Sequence, residues 1–394
     1  MTKIFLLFIS CFLFLSSVLY SQDNKKNIQK ENNSNKEASA ITQFSLNVLS
    51  KSIKEDGNVV CSPISAHILF TLLSNGMEGN SLKDIESLIG GDSKAMSKFY
   101  KDYFSNNKDT SLLASNILWL DKGLKLSDNF SRTCKIYPYT EVKNIDLQDK
   151  NTKDIINKTI EDFTNHKIKN LVDNIRPLDK LILTNALYFK ANWASPFQER
   201  GNFKDKFFQN TGSSSEVEYM SDRETHLQYI CGENSKGVIL PYRSSDYSFF
   251  ILMPDTNIKL KDYIKTISGK ELLSMIQKAK GKSELINLYL PKFKVENSFD
   301  LKKVLSEMGY NVGSYDLSTI LKDRSPLNIC KVIQKTYLSI DEKETEATVA
   351  SLTALVGGLE PITPIELKFN RPFIFGIIDN KTNLPIFIGA INKL

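Results

Sequence analysis

The amino-acid sequence predicts an α+β fold, and two observations carry this prediction. Helical signals dominate the first part of the 394-residue chain, whereas short apolar runs rich in Val, Ile, Leu and Phe dominate the second. No Pro/Gly/Ser-rich linker and no repeat of fixed period interrupts the apolar pattern over residues 40–394. Helices followed by strands within one compact unit are typical of an α+β domain.

The N-terminus has the composition of a secretory signal peptide. Lys3 precedes an apolar run over residues 4–19 that is broken only by serines. A membrane anchor is the alternative, but the run is shorter than the roughly 20 residues that span a bilayer. We therefore expect residues 1–21 to be removed and the mature chain to be secreted into the extracellular space. Residues 22–39 are polar and of mixed charge, which predicts a disordered leader before a single domain over 40–394.

Composition and motifs argue against nucleic-acid binding and against the common enzyme classes. The chain is 41% hydrophobic and 24% charged with a net charge of +6, and it has no block of basic residues. Its three histidines, His67, His166 and His226, lie outside any H-E-x-x-H frame. The sequence also lacks G-x-S-x-G and the glycine motifs that bind phosphate or dinucleotides. We expect no catalytic residue, no metal and no cofactor.

Cysteines and sequons indicate which covalent modifications the chain allows. Outside the signal segment the cysteines are Cys61, Cys134, Cys231 and Cys330. They show no C-x-x-C spacing, so a zinc site is not expected, and one disulfide is permitted but none is required. Sequons for N-glycosylation, which would be surface positions in a secreted glycoprotein, stand at Asn32, Asn129, Asn157 and Asn380.

The segment CSPISAHILFTLLSNG predicts the clearest helix. Ser62 stands at the N-cap, Pro63 occupies the first helical position, and Gly76 ends the segment. Between them, one apolar stripe contains Ile64, Ile68, Leu69, Leu72 and Leu73. Strands are predicted near residues 183, 250, 288 and 333, and the closing runs IELKFNRPFIFGII and LPIFIGAI, joined by DNKTN, predict an antiparallel hairpin.

Two primary amides fall on apolar strand faces. Alternation places Asn185 with Leu183 and Leu187, and it places Gln334 with Val332 and Leu338. A buried amide without a hydrogen bond costs about 2–7 kcal/mol, so each one needs a polar partner. Ser62 and Ser65 at the start of the apolar helix are candidate partners. The alternative is that each amide pairs with nearby backbone and has no further role.

The segment 341–364 has the composition of a strand where a loop is expected. Loops of this length inside a compact domain are uncommon and are usually functional or disordered. Residues 347–359 carry no charge, and alternation places Thr345 and Ala347 on one face with Glu344 and Glu346 on the other. One face can therefore be buried while the acids reach solvent, and the segment can join a sheet as a continuation of the strand that ends at residue 340.

Six segments, in one order along the chain, resemble signatures of the serpin family. They are NVVCSPISAHILFTLLSNGMEGNS, LTNALYFKANWASPF, LPYRSSDYSFFILMPD, LYLPKFKVENSFDLKKVLSEMGY, IDEKETEATVAS and LKFNRPFIFGIIDNKTNLPIFIGAI. The resemblance implies a fold of three β-sheets and about nine helices, with an exposed reactive-centre loop over about 342–364. It also implies a secreted serine protease inhibitor that acts as a suicide substrate. A serine protease cleaves the loop, and the loop inserts into the central sheet and traps the protease as a covalent acyl complex.

The resemblance gives the buried amides a role. Ser62, Ser65, Asn185 and Gln334 match the family's shutter, a polar cluster beneath the place where the central sheet parts. Many members have histidine at the position of Gln334, and an amide can likewise both donate and accept hydrogen bonds. Trp193 matches the tryptophan of the breach, where insertion begins, although packing in the core is a role it would serve in any case.

The same resemblance locates the hinge and the reactive bond. The hinge comprises Glu342, Lys343, Glu344, Thr345, Glu346, Ala347, Thr348, Val349 and Ala350. The family's spacing from Glu342 places the reactive bond between Gly358 and Leu359. The loop is a few residues longer than in common members, so Val356, Gly357 or Leu359 are alternatives for the recognised side chain. No Arg or Lys lies between residues 344 and 364, which favours elastase-like or chymotrypsin-like targets.

Glu344 departs from the family's pattern. Inhibitory members usually have glycine there, because a hinge needs the backbone freedom that glycine supplies. The small residues over 347–350 keep the inhibitory pattern. We therefore expect a working, monomeric inhibitor that shows more substrate-like turnover than a glycine hinge gives. The alternative is a non-inhibitory serpin with a carrier, chaperone or storage role, and a secreted hydrolase is a third class.

Overall fold

The structure is a computed structural model, and it describes residues 35–105, 112–137, 140–189, 191–243, 246–342 and 363–394. The predicted signal peptide, most of the predicted leader and the sequon at Asn32 lie outside these residues. The hinge from Lys343 onward and the predicted reactive bond between Gly358 and Leu359 also lie outside them.

Nine α-helices lie in the described residues, in agreement with the predicted α+β class. Helix α1 runs over 35–52, so it includes residues 35–39, which the composition assigned to the leader. The others are α2 (Pro63–Ser74), α3 (Gly79–Ile89), α4 (Ser93–Ser105), α5 (Asp128–Cys134), α6 (Thr152–Phe163), α7 (Leu260–Thr266), α8 (Gly269–Lys280) and α9 (Leu301–Glu307).

Fourteen strands accompany these helices in the described part of the chain. The first seven are β1 (Val59–Cys61), β2 (Leu112–Asp121), β3 (Thr140–Ile145), β4 (Leu181–Phe189), β5 (Phe203–Phe208), β6 (Ser214–Cys231) and β7 (Ser235–Pro241). The remaining seven are β8 (Tyr247–Pro254), β9 (Glu284–Pro291), β10 (Phe293–Asp300), β11 (Lys331–Ile340), β12 (Ile365–Lys368), β13 (Phe373–Asp379) and β14 (Pro385–Ile391).

The central sheet has five strands in the order β10, β11, β4, β2, β3. β11 and β4 pair in parallel, whereas β10 pairs antiparallel with β11 and β2 pairs antiparallel with β4. β11 buries every second residue from Val332 to Ile340, as its alternation predicts. β4 is buried on both faces, because a second apolar cluster containing Trp119, Ile156 and Ile182 lies between the sheet and α6.

The other nine strands form two further sheets that share β6. The first part of this 18-residue strand pairs with β5 and β9, and its last part pairs with β7. β8, β13, β14 and β1 extend the sheet beyond β7, and β12 pairs in parallel with β9. The described residues thus form three sheets, as the family resemblance implied. The predicted C-terminal hairpin is the antiparallel pair β13–β14.

Helix α2 is more deeply buried than a one-sided stripe predicts. All twelve of its residues are buried, because it packs between β2 of the central sheet and β14 behind it, with α3 and α4 beside it. Ser62 precedes the helix, but its side chain makes no capping hydrogen bond, so the predicted capping role of its hydroxyl is wrong. Gly76 follows the helix where a Cβ would lie 2.0 Å from a methyl of Ile320, which explains why glycine is required there.

Candidate functional site

The site begins at the boundary between β4 and β11. We name this boundary the seam: it is the parallel ladder from the pair Ile182–Lys331 to the pair Tyr188–Tyr337. β11 continues beyond it to Ile340, paired there with β10. The two seam strands are far apart in sequence, and parallel ladders are slightly less stable per residue than antiparallel ones. The strands can therefore separate at the seam without breaking a local connection.

The two amides predicted to be buried meet at the middle of the seam. Gln334 and Asn185 are register partners, and neither is exposed to solvent. The Gln334 Nε2 donates to Asn185 Oδ1 at 2.6 Å and to the carbonyl oxygen of Ser62 at 2.8 Å. Its Oε1 accepts the backbone N–H of Ser62 at 3.0 Å. The Gln334 amide therefore ties the seam to the chain just before α2 as well as across the two strands.

Hydroxyl and amide groups extend this network on both sides. The Ser62 hydroxyl lies 2.7 Å from that of Ser65 and donates to the carbonyl oxygen of Ile386 at 2.7 Å. On the other side, Asn185 Nδ2 donates to Asn116 Oδ1 on β2. We name the connected set the shutter cluster, and it consists of Ser62, Ser65, Asn116, Asn185 and Gln334. The structure thus brings together all four predicted shutter residues and adds Asn116.

Asn116 could have been found in the sequence. In LLASNILWLD, alternation places it on the same face as Leu118 and Leu120, which makes it a third amide on an apolar strand face. Two further polar side chains, not predicted, hold β1 against the central sheet. The Thr336 hydroxyl donates to the carbonyl oxygen of Val60 at 2.7 Å, and Asn297 Oδ1 accepts the Val60 N–H at 2.7 Å.

Trp193 lies just above the seam. Its indole stacks on Tyr242 with ring centroids 4.7 Å apart and planes 10° apart, and Phe197 and Phe249 contact it edge-on. The indole N–H donates to the carbonyl oxygen of Asp341 at 2.9 Å. Trp193 is therefore packed in the core, and it also holds the backbone immediately after β11.

Glu342, the last described residue before the gap at 343–362, is held by an ion pair. It is 9% exposed, and its Oε1 accepts from Lys292 Nζ at 2.7 Å and from Asn202 Nδ2 at 2.8 Å. Lys292 also pairs with Glu218 at 2.8 Å. Burial acts to raise the pKa of Glu342, but the hydrogen bonds and the charge of Lys292 outweigh burial and lower this pKa. The first residue of the predicted hinge is thus an ionised carboxylate held beside the top of the seam.

Comparison with known proteins identifies the family. A family model described as serpin (serine protease inhibitor) matches residues 39–394. The chain belongs to the serpin family. Serpins are mostly protease inhibitors rather than catalysts. Iripin-3 of Ixodes ricinus is 28% identical to this serpin over 359 residues, which cover 86% of this chain and 89% of that relative.

Two solved structures of tengpin, a thermophilic serpin, allow a comparison of states. The native state matches with a TM-score of 0.80 and 30% identity, covering 91% of this chain and 94% of that one. The latent state matches with a TM-score of 0.75 and 29% identity, covering 91% of this chain and 97% of that one. The TM-score to the native-state structure is thus the higher of the two.

The chain segment after α6 crosses the outer face of the seam and is attached to β11. Lys331 Nζ donates to the carbonyl and the side-chain oxygen of Asn174, and Lys335 Nζ donates to the carbonyl oxygen of Lys169 at 2.8 Å. The Lys167 ammonium lies 6.0 Å from the centre of the Tyr337 ring. These contacts could not be predicted from the sequence, because lysines on a strand ordinarily indicate a solvated face.

The three described sequons differ in accessibility. Asn129 is exposed in the first turn of α5. The Asn157 amide donates to the carbonyl oxygen of Val172 at 3.0 Å and accepts the Val172 N–H at 2.8 Å. Asn380 Oδ1 accepts a hydrogen bond from the Ser248 hydroxyl at 2.8 Å. Asn129 is thus the described sequon whose modification would disturb no hydrogen bond of its own amide.

Disulfides, metal sites and membrane-spanning helices were considered over the described residues. Cys61, Cys134, Cys231 and Cys330 are all free thiols. Over the same part of the chain, no group of three or more His, Cys, Asp or Glu side chains is arranged to hold a metal ion. Among the described helices, none is both long enough and apolar enough to cross a bilayer.

Proposed function

We propose that this serpin is a secreted serine protease inhibitor that acts as a suicide substrate. The loop over about 342–364 is the bait, and its bond between Gly358 and Leu359 is the bond cleaved. The cleaved loop then enters the seam as a new strand while the protease is still attached as an acyl-enzyme. The partner is thus a serine protease in a covalent complex, and the inhibitor itself is a monomer.

The observation that carries the proposal is the parallel pairing of β4 and β11. A chain that continues from β11 past Glu342 and turns back runs antiparallel to β11. Because β4 is parallel to β11, the same chain also runs antiparallel to β4. Such a strand gains a hydrogen-bonded ladder on each side. If insertion adds on the order of ten ladder bonds at about 1 kcal/mol each, it is favourable by about 10 kcal/mol. The uninserted form is then a kinetic trap, which the closed seam maintains.

The composition of the loop supports both insertion and the class of target. Thr345, Ala347 and Val349 present small or β-branched side chains on the face that insertion would bury, while Glu344 and Glu346 face solvent. The absence of Arg and Lys between residues 344 and 364 favours an elastase-like or chymotrypsin-like protease over a trypsin-like one.

Incubation with proteases tests the proposal directly. The mature chain is mixed with elastase, chymotrypsin and trypsin, and the products are separated in SDS. We expect a complex that survives SDS with elastase or chymotrypsin, and sequencing of the released C-terminal fragment should identify the cleaved bond. Cleavage without a complex, and without a large rise in melting temperature, would contradict the inhibitory mechanism.

A non-inhibitory serpin is the second candidate, and Glu344 favours it. A glutamate restricts the backbone more than the glycine usual at that hinge position, so insertion can be too slow to trap the acyl-enzyme. The variant Glu344→Gly separates the two candidates. A larger share of trapped protease in this variant supports a slowed inhibitor, whereas the absence of any complex in both forms supports a carrier, chaperone or storage role.

Secretion and glycosylation belong to the same proposal. The apolar run over 4–19 supports a cleaved signal peptide, and the exposed Asn129 supports a glycan at that sequon. N-terminal sequencing of the chain from the culture medium of expressing cells should begin between residues 18 and 22. Retention inside the cells with Met1 or the apolar run still present would contradict the proposed signal peptide.

A further inference from the structure

A buried histidine connects the helices of the first part of the chain. His67 lies in the middle of α2 and is fully buried. Its Nε2 lies 2.9 Å from the carbonyl oxygen of Ile89, the last residue of α3. Its Nδ1 lies 2.9 Å from the hydroxyl of Tyr100 on α4, and Phe44 of α1 packs edge-on against the ring with centroids 5.2 Å apart. One imidazole of α2 thus contacts three other helices.

The partners of His67 determine which of its nitrogens carries the proton. A carbonyl oxygen can only accept, so Nε2 donates to Ile89, and the neutral Nδ1 accepts from the Tyr100 hydroxyl. The bond to Ile89 also satisfies a carbonyl at the end of α3, where Gly90 follows with a φ of +72° and the last carbonyls have no partner within the helix. The neutral ring therefore donates once and accepts once, and both bonds hold a neighbouring helix.

A protonated ring would disturb this arrangement. Its Nδ1 would become a donor directed at the Tyr100 hydroxyl, so the phenol would have to turn its own proton elsewhere. Within the described chain this hydroxyl has no second hydrogen-bond partner, and aromatic rings surround it. The Thr71 hydroxyl is nearer to solvating Nδ1, but at a longer 3.3 Å. Protonation therefore leaves a buried phenol donor without an acceptor, which is costly.

The surroundings of the ring also disfavour its positive charge. Among the described residues, α1 contributes Phe44, α3 a backbone carbonyl and α4 Tyr100, so Tyr100 is the titratable group that faces the ring from these helices. No charged side chain of the described chain acts on the pKa of His67. Burial lowers this pKa from 6.5 to about 4, and hydrogen bonding to the backbone, including Ile89, opposes the shift only in part.

We propose that His67 is an acid-sensitive switch that holds α3 and α4 against α2 while its ring is neutral and releases them when its ring is protonated. The proton enters when the helices separate, because the freed imidazole is then solvated by water. Release would uncover one side of α2, whose first turn contains Ser65 of the shutter cluster. The switch thus makes the hold on the seam depend on the acidity of the medium, which is a property separate from protease recognition.

Titration of His67 is the first test, and it needs no substitution at this position. The histidines of the chain are His67, His166 and His226. A full chain that combines His166→Gln with His226→Gln and carries ¹³C at the histidine Cε1 therefore gives one imidazole resonance in an NMR spectrum. We expect this resonance to titrate near pH 4 in the folded protein. A midpoint of about 6.5, the ordinary value for histidine, would overturn the switch.

Amide hydrogen exchange tests the release itself. The released ring has the higher pKa, so the released form gains as the pH falls from 6.5 to about 4. After correction for the intrinsic effect of pH, we expect roughly fiftyfold faster exchange in α3 and α4 at pH 4.5 than at pH 7, with a smaller acceleration in β4 and β11. The same double variant, which keeps His67, is the matched control and should respond like the wild type.

The variant His67→Gln completes the comparison. Its amide can still donate to Ile89 but gains no charge in acid, so exchange in α3 and α4 should lose most of the acid response. An acid response that folded His67→Gln protein retains would overturn the switch. Unchanged exchange in β4 and β11 of the wild type would overturn its link to the seam. If His67→Gln does not fold, the titration remains decisive. Neither measurement uses a protease, so both are independent of the proposed inhibition.

Discussion

Two buried ladders of this serpin, the seam and the β13–β14 hairpin, are built in opposite ways. Every residue of β13 and β14 is buried, and most of their side chains are aromatic or β-branched. The seam is equally buried at its centre, but there it contains Gln334 and Asn185. These two amides are hydrogen-bonded to each other, and Gln334 also bonds the backbone of Ser62. The molecule thus places apolar packing where strands stay together and polar cross-links along the seam.

This contrast between the two ladders indicates how a buried sheet can be both stable and separable. Parting the hairpin would expose apolar surface at about 25 cal/mol per Å², and nothing would recover that free energy. Parting the seam breaks one ladder of hydrogen bonds, and the strand that the proposed mechanism inserts there forms two. Polar contacts are therefore suited to a boundary that opens once in that mechanism.

The largest expected effect tests whether the seam accepts a strand. Ala347→Arg places a charge on the face of the loop that insertion would bury, so we expect loss of nearly all SDS-stable complex and its replacement by cleaved inhibitor. Thr348→Arg, one residue along on the solvent face, is the matched control and should still form complex. Both variants are assayed by the ratio of complex to cleaved product. Equal behaviour of the two would break the alternation on which the proposal rests.

A core truncation in the hairpin gives the next largest effect. Phe375→Ala removes a fully buried ring from β13, and we expect the free energy of unfolding to fall by about 3–5 kcal/mol. The exposed Phe208 is the control, and Phe208→Ala should change the free energy of unfolding by less than about 0.5 kcal/mol. Urea denaturation followed by circular dichroism measures both. If Phe375→Ala instead speeded loop insertion selectively, the contrast between the two ladders would be wrong.

Loss of the central amide should weaken the seam specifically. Gln334→Ala leaves the N–H of Ser62 and the Oδ1 of Asn185 without this partner, which costs about 1–3 kcal/mol for each buried group. We expect faster amide hydrogen exchange in β4 and β11 with little change in β13 and β14. Gln148→Ala, at an exposed glutamine, is the control. Exchange that rises equally in both ladders would show that Gln334 acts as ordinary core.

The smallest expected effect is a pH dependence at the top of the seam. The pKa of Glu342 is lower in the folded protein than its ordinary value, because the hydrogen bonds and charge of Lys292 outweigh burial. Its ionised form therefore stabilises the fold above the unfolded pKa, and this contribution is lost as the pH falls through the lowered folded pKa. Glu342→Gln should flatten this part of the profile of melting temperature against pH, and Glu307→Gln, at an exposed helical position, should not. Identical profiles would contradict the ion pair's role.

Much of this arrangement could be predicted from local sequence patterns. Period-two alternation located Gln334 and Asn185 on buried faces. This signal depends on a few neighbouring residues, and it survives folding because a strand fixes which side chains share a face. The helix-first, strand-later order was likewise sufficient for the α+β class.

The parts that could not be predicted depend on contacts between distant segments. Nothing near Glu342 in the sequence identifies Lys292 as its partner, and nothing near Ser62 shows that its hydroxyl would bond Ile386 and Ser65 instead of capping α2. The full burial of α2 has the same origin, because β14, which covers it, lies at the other end of the chain. Local propensity gave way to tertiary contacts at each of these positions.

The two tryptophans of the chain lie at different places around the central sheet. Trp193 bonds to Asp341 above the seam, whereas Trp119 lies beneath α6 and donates to Thr184 at 2.8 Å. In the proposed mechanism, entry of a strand changes the surroundings of the Trp193 indole before those of the Trp119 indole. The intrinsic fluorescence of the protein therefore has two components that should respond at different times. The Trp119→Phe and Trp193→Phe variants would assign each component to its own indole.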